Sequence, residues 1–262
     1  MEREGNGHTV TDLGKENAMF SRVSVCGLPV NDLTLPAMTE ACFTVWEAKG
    51  SCTVYTPNAV MLARAVRDRS LMALLAASDL TAADGDGLLL AARLTGASLP
   101  CGKVAGVDLG KALLREAAER GLAVYLYGGE PRVAEAAAER LKEELPALRI
   151  VGTCDGYGDG EEAAERIAQS GAELILVCLG FPKQEQWIAA HGRTLGGILV
   201  GLGGSLDIYA GRKRRAPRLL RALRMEWLWR AVREPRRWGT VLTAAGFLLG
   251  LCFRGTKKAS SS

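Results

Sequence analysis

From about residue 50 onward, short apolar runs alternate with amphipathic stretches of helical period, the pattern of a parallel β-sheet covered by helices. Cys52 to Tyr55, Leu122 to Tyr127, Arg149 to Thr153, Leu174 to Leu179 and Ile198 to Leu202 are the expected strands. Ala-rich helices lie between them. The clearest, Val133 to Glu144, is expected to pack Val133, Ala136, Ala137, Arg140 and Leu141 on the sheet. The fold class is therefore α/β, a Rossmann-like parallel sheet flanked by helices.

Three expected strands run straight into glycine and a turn: Tyr127-Gly128-Gly129-Glu130-Pro131, Leu179-Gly180-Phe181-Pro182 and Leu202-Gly203-Gly204-Ser205. Ligands of open α/β sheets sit at the carboxyl ends of strands, where glycine lets phosphate oxygens approach backbone N–H groups. For any one of the three, a tight turn is explanation enough. Three together point to a nucleotide. None has the full spacing of a dinucleotide fingerprint.

After Gly211 the pattern changes to Arg-Lys-Arg-Arg-Ala-Pro, then to a helix-compatible stretch with Leu220, Leu223, Trp227 and Ala231 on one face and arginine on the others. An uncharged run from Gly239 to Phe253 follows, closed by Arg254, Lys257 and Lys258. As a helix at ~1.5 Å per residue this run covers roughly 22 Å of a ~30 Å hydrocarbon core, which fits an interfacial anchor better than a span. A core helix buried against the domain is the competing expectation. The division that results is a loose N-terminus (1–20), an α/β core (21–211) and a basic, apolar appendage (212–262).

Charge sharpens that division. The 262-residue chain has a formal net charge of +4, but residues 212–262 hold 14 Lys/Arg against Glu226 and Glu234, a net +12 that leaves −8 on the rest. A basic C-terminal module implies an anionic partner, whether lipid, nucleic acid or a phosphorylated substrate. The apolar residues beside the arginines favour lipid over a nucleic-acid groove, so no nucleic-acid partner is expected. Seven cysteines without a Cys-x-x-Cys pair read as reduced thiols, mostly in the core. With only His8 and His191, a histidine triad and a multi-histidine metal site are excluded, and the chemistry rests on carboxylates.

Ala83-Asp84-Gly85-Asp86-Gly87 lies where a strand edge meets a helix start. A partly desolvated Asp84 suits a general base acting on a sugar hydroxyl. The same five residues also read as a helix N-cap and turn, or as an Asp-x-Asp holding a divalent ion. Lys183 and Gln184, just after a buried strand, are placed to reach phosphate or sugar oxygens, and Glu185 to favour the helix dipole. Thr56-Pro57-Asn58 offers a hydroxyl and an amide, or simply a helix cap.

The ordered motifs Thr56-Pro57-Asn58, Asp84-Gly85-x-Gly87, Val104-Ala105-Gly106-Val107-Asp108-Leu109, Tyr127-Gly128-Gly129, Gly156-Tyr157, Leu179-Gly180-Phe181-Pro182-Lys183-Gln184-Glu185, Val200 to Asp207, Arg214-Arg215-Ala216-Pro217 and Glu226 to Arg230 resemble the WecG/TagA/CpsF glycosyltransferases over roughly residues 22 to 238. The resemblance implies an inverting, metal-independent enzyme moving N-acetylmannosamine or a related sugar from its UDP donor to undecaprenyl-diphosphate-linked N-acetylglucosamine in cell-envelope polymer synthesis. It implies a peripheral position on the cytoplasmic face of the membrane, and neither cofactor nor metal.

Carried onto matching positions, the resemblance makes Asp84 the base and places Thr56, Asn58 and Gln184 near the reacting sugars. Lys103, Gly106, Asp108, Gly128, Gly129, Glu185, Gly203 and Asp207 complete the expected substrate-binding set. Arg215, Arg218, Arg230 and Arg237 are candidates, among the C-terminal arginines, for the departing diphosphate. Three positions depart from the family pattern: Asp86 stands where an apolar residue is usual, Lys103 about where arginine is common, and Pro57 in place of an aliphatic residue. A non-catalytic nucleotide-binding scaffold tethered to the membrane is the alternative, and a homo-oligomer is left open.

Overall fold

The computed structural model describes residues 20–217, 219–220, 229, 232 and 238–259. Of the expected loose start (1–20), residues 1–19 lie outside the described residues, as does most of the arginine-flanked stretch after 217, with Arg218, Arg230 and Arg237.

The chain opens with a hairpin of β1 (Arg22–Val25) and β2 (Leu28–Asn31), which the reading of the sequence did not anticipate. Then come α1 (Leu35–Lys49), β3 (Ser51–Tyr55), α2 (Ala59–Ala65), α3 (Arg69–Ala76), β4 (Leu80–Thr81), α4 (Asp86–Leu94) and α5 (Gly106–Arg120). The second half repeats strand and helix: β5 (Ala123–Gly128), α6 (Val133–Glu144), β6 (Arg149–Cys154), α7 (Gly160–Ser170), β7 (Leu174–Cys178), α8 (Lys183–Leu195), β8 (Gly197–Gly201) and α9 (Ser205–Tyr209). A last helix, α10, covers Trp238–Ala259.

Six strands form one sheet in the order β4-β3-β8-β7-β5-β6, and every neighbouring pair is parallel. All five expected strands are present with ends within one residue of expectation. Of the six strands in this sheet only β4 has no counterpart among the expected ones, because two residues are too few to show a period. Side chains alternate between two cores, as a pleated strand requires. Val124, Leu126, Leu174, Leu176, Ile198 and Val200 point to one face, where α1, α5, α6 and α9 cover them. Tyr125, Tyr127, Ile175, Val177 and Leu199 point to the other, under α2, α3, α4, α7 and α8.

On α6 the buried stripe is Val133, Ala134, Ala137, Ala138 and Leu141, while Arg140 is exposed, so the helix is turned by about one residue from the expected face. Alanine at Ala134, Ala136, Ala137 and Ala138 makes several faces equally able to be buried, and the sheet selects among them. None of the cysteines is in a disulfide among the described residues; Cys42, Cys52 and Cys178 are buried, Cys26 and Cys154 half-buried, and Cys101 and Cys252 exposed, so fewer are core residues than expected.

The C-terminal run forms a helix, as expected, and α10 packs on α2 and α4. Phe247 is buried there, with Leu248 and Leu251 against the same core. Its opposite side leaves Trp238, Leu242, Leu249 and Phe253 exposed. No helix among the described residues is long and apolar enough to cross a membrane.

Candidate functional site

A parallel sheet gathers the carboxyl ends of its strands along one edge. The loops leaving β3 and β7 turn to one face of the sheet and those leaving β5 and β8 to the other. Crevices at such reversals are where open α/β sheets hold ligands. The expected residues collect there.

At the β3 end, Thr56 is buried and its hydroxyl donates to the carbonyl of Gly201 at the end of β8, at 2.7 Å. A side chain at Gly106 would approach the Thr56 hydroxyl to 3.1 Å, so the start of α5 closes directly on this turn. Asn58 caps α2, accepting from Val60 N at 3.0 Å and Met61 N at 3.2 Å. The Asn58 amide oxygen is thus held by the backbone.

One strand over, Ala82 N donates to Tyr55 O, Asp84 N to Pro57 O at 3.0 Å, and Val104 N to Ala83 O at 2.9 Å. These bonds tie the Asp84 loop to both neighbours. The residue that caps α4 is Gly85, at φ +87°, where a side chain is strained and none is present. Asp84 is not the helix cap; it is half-buried at the sheet edge. Asp86 begins α4 and is ion-paired with Lys103, which links two of the three family departures to each other. No cluster of three or more potential ligands that could hold a metal ion occurs among the described residues.

At the β7 and β8 ends, Gln184 is buried and bridges two loops. Its carbonyl oxygen accepts from Gly203 N at 2.9 Å and Gly180 N at 3.3 Å, and its amide nitrogen donates to Glu185 Oε1 at 2.8 Å. Glu185 has no exposed surface, and burial pushes its carboxyl above the usual glutamate range. The hydroxyl of Tyr55 donates to the Glu185 backbone carbonyl at 3.0 Å.

Gly128 and Gly129 lie across β7. Gly128 has φ +120°, and a Cβ there would come within 2.4 Å of the Cys178 backbone, so only glycine fits. Gly129 N donates to Cys178 O and Gly156 N to Gly129 O, which packs the ends of β5, β6 and β7 backbone to backbone. Tyr157 follows Gly156 and is 73% exposed at this edge.

Asp108, in the first turn of α5, is gripped by both terminal nitrogens of Arg215, one of them at 2.7 Å. This fork returns the basic segment after α9 to the site. Beside it, Tyr209 donates to Val107 O at 2.8 Å, and Lys213 pairs with Asp207 at 3.1 Å. Burial raises the Tyr209 phenol well above its ordinary range. Thus Thr56, Asn58, Asp84, Lys103, Gly106, Asp108, Gln184, Glu185, Gly203 and Arg215 share one end of the sheet, with Gly128 and Gly129 farther along the same edge. What the sequence did not show is the partnering of Asp86 with Lys103 and of Asp108 with Arg215, because neither pair is close in the chain.

A half-buried carboxylate on a loop fixed by backbone bonds, at the same sheet edge as a buried hydroxyl, a buried amide and two ion-paired cations, can take a proton from a hydroxyl, and cations at that edge can attract a phosphate. The profile of the glycosyl transferase WecG/TagA/CpsF family matches residues 23–261. The chain is similar to the N-acetylglucosaminyldiphosphoundecaprenol N-acetyl-beta-D-mannosaminyltransferase of Bacillus subtilis (strain 168), at 31% identity over 205 residues that cover 78% of this chain and 80% of that protein. To the protein of the same description from Bacillus spizizenii it is 33% identical over 192 residues, covering 72% and 74%.

Proposed function

The chain belongs to the WecG/TagA/CpsF glycosyltransferase family, and from that premise we propose that it transfers N-acetylmannosamine from UDP to a polyprenyl-diphosphate-linked N-acetylglucosamine, with Asp84 as the base. The observation that carries this reading is the position of Asp84, held by backbone bonds from its own N–H to Pro57 and from Val104 to Ala83, at the sheet edge shared with Thr56 and Gln184.

In the proposed step the Asp84 carboxylate takes the proton of an acceptor hydroxyl. The hydroxyl oxygen forms the new bond to the anomeric carbon of the donor, and the bond from that carbon to the diphosphate oxygen breaks. One displacement inverts the anomeric centre. UDP leaves carrying the negative charge, which Arg215, Lys103 and the further C-terminal arginines Arg218, Arg230 and Arg237 are suited to balance. The glycine-lined ends of β5 and β7 suit the donor nucleotide.

The acceptor is lipid-linked, so the reaction belongs at a membrane surface. The exposed Trp238, Leu242, Leu249 and Phe253 of α10, within a segment carrying a net +12, support peripheral attachment to the anionic cytoplasmic leaflet. Incubating the purified protein with a panel of UDP-sugars and a short-chain lipid-diphosphate acceptor tests the reading. Transfer is expected from UDP-N-acetylmannosamine. Nucleotide binding without turnover of any donor would favour the scaffold alternative.

A further inference from the structure

Glu185 is a buried ionisable group for which the proposed transfer has no chemical use. It lies in the first turn of α8 with no solvent exposure, so it cannot touch a sugar directly in this arrangement. One carboxyl oxygen accepts from Gln184; the other, Oε2, is buried and has no hydrogen-bond partner among the described residues. A buried carboxyl with an unsatisfied oxygen costs stability, and its retention calls for a compensating task.

That task is visible in what Gln184 does. A glutamine amide can be turned by half a rotation, exchanging its oxygen and nitrogen. Gly203 N and Gly180 N both need the oxygen on their side, and Glu185 Oε1 needs the nitrogen on its own. The wrong orientation would face two N–H donors with an NH2 and two oxygens with each other. Tyr55, donating to the Glu185 carbonyl, anchors this turn of α8 to the strand that carries Thr56.

We propose that Glu185 is a positioning residue: it fixes the Gln184 amide so that Gln184 pins the loop after β7 to the loop after β8, and the two loops keep a constant shape where the sugars react. This rests on the proposed sugar transfer at the Asp84 end of the sheet. Burial of Glu185 favours its uncharged form, whose proton would sit on the oxygen that Gln184 does not use.

The test compares full-length E185L, E185Q, Q184A and Q184A/E185L. Leucine fills the volume and removes the acceptor; glutamine keeps one acceptor oxygen. E185L is expected to lower kcat by about tenfold or more with little change in KM for the donor, and E185Q to recover most of that loss. Q184A/E185L should be no slower than Q184A alone, because Glu185 acts through Gln184. Multiplying effects, or a kcat of E185L equal to wild type, would overturn the proposal. Amide hydrogen exchange at Gly180 and Gly203 supplies an answer independent of turnover: both should lose protection in Q184A and in E185L. Full protection in E185L refutes the positioning role even if no donor sugar is ever turned over, whereas an inactive wild type with the expected exchange pattern refutes only the transfer reading.

Discussion

Lys103 and Asp86 stand 17 residues apart and meet as a part-buried ion pair at the start of α4, just after Asp84. Two positions expected from the resemblance to depart from the family pattern are thus joined in one feature of this chain. With Asp86 engaged by Lys103, the Asp84-Gly85-Asp86 loop does not offer two carboxylates to an ion. Transfer is expected to persist after dialysis against chelator. Activity lost on chelation and restored by magnesium or manganese would overturn this. The pair itself is expected to couple by about 0.5–1 kcal/mol in a double-mutant cycle of K103M and D86L, read by urea unfolding.

Asp84→Asn removes the basic oxygen while keeping the size of the side chain. The expected loss in kcat is at least about 100-fold, with melting temperature and donor affinity close to wild type. Full transfer by the purified variant would remove Asp84 from the mechanism.

The two-pronged grip of Arg215 on Asp108 demands the planar guanidinium. Arg215→Lys keeps the charge and loses the fork, so it should recover less than half of the roughly 1 kcal/mol lost in Arg215→Ala. Chemical denaturation of the two variants measures this; equal stability of Lys and wild type would show that charge alone suffices.

Glu185 gives a pH dependence with a definite sign. Unfolded, its carboxyl ionises near 4.5; folded, burial raises that value, partly offset by the hydrogen bond from Gln184. Between the two the native state keeps a proton the unfolded chain has released, so this contribution is complete below the unfolded value and declines as pH rises to the folded one. Tyr55 is the ionisable neighbour, and burial keeps its phenol neutral in this range. Glu185→Gln does not titrate. Its stability relative to wild type should therefore increase from about pH 4.5 upward in denaturant titrations, and a difference independent of pH would contradict the assignment.

Removing residues 212–262 is expected to abolish transfer and membrane recovery, but it also strips Phe247, Leu248 and Leu251 from the core and should lower the melting temperature. A cleaner test replaces only the exposed Leu242, Leu249 and Phe253 with glutamine. Flotation with anionic vesicles should then fall several-fold while stability holds. Undiminished flotation would place the membrane contact elsewhere.

By itself the sequence determined the strand and helix alternation, because the period of apolar residues is set by which faces must leave water. It also marked the strand-end edge as the candidate site, since glycines and short polar turns follow Tyr127, Leu179 and Leu202 directly. Asp84 was legible only as a choice between base, cap and metal ligand. Tertiary structure narrowed that choice by giving the cap to Gly85 and by supplying Asp86 with Lys103. The same holds for α10: fifteen uncharged residues announce a helix, but period alone does not say whether its partner is lipid or protein, and packing on α2 and α4 decides it for one face only. Asp108 with Arg215, Thr56 with Gly201 and Gln184 with Gly203 are contacts between distant residues. They depend on strand order, and a strand's own pattern carries the face it buries but not the neighbour it pairs with.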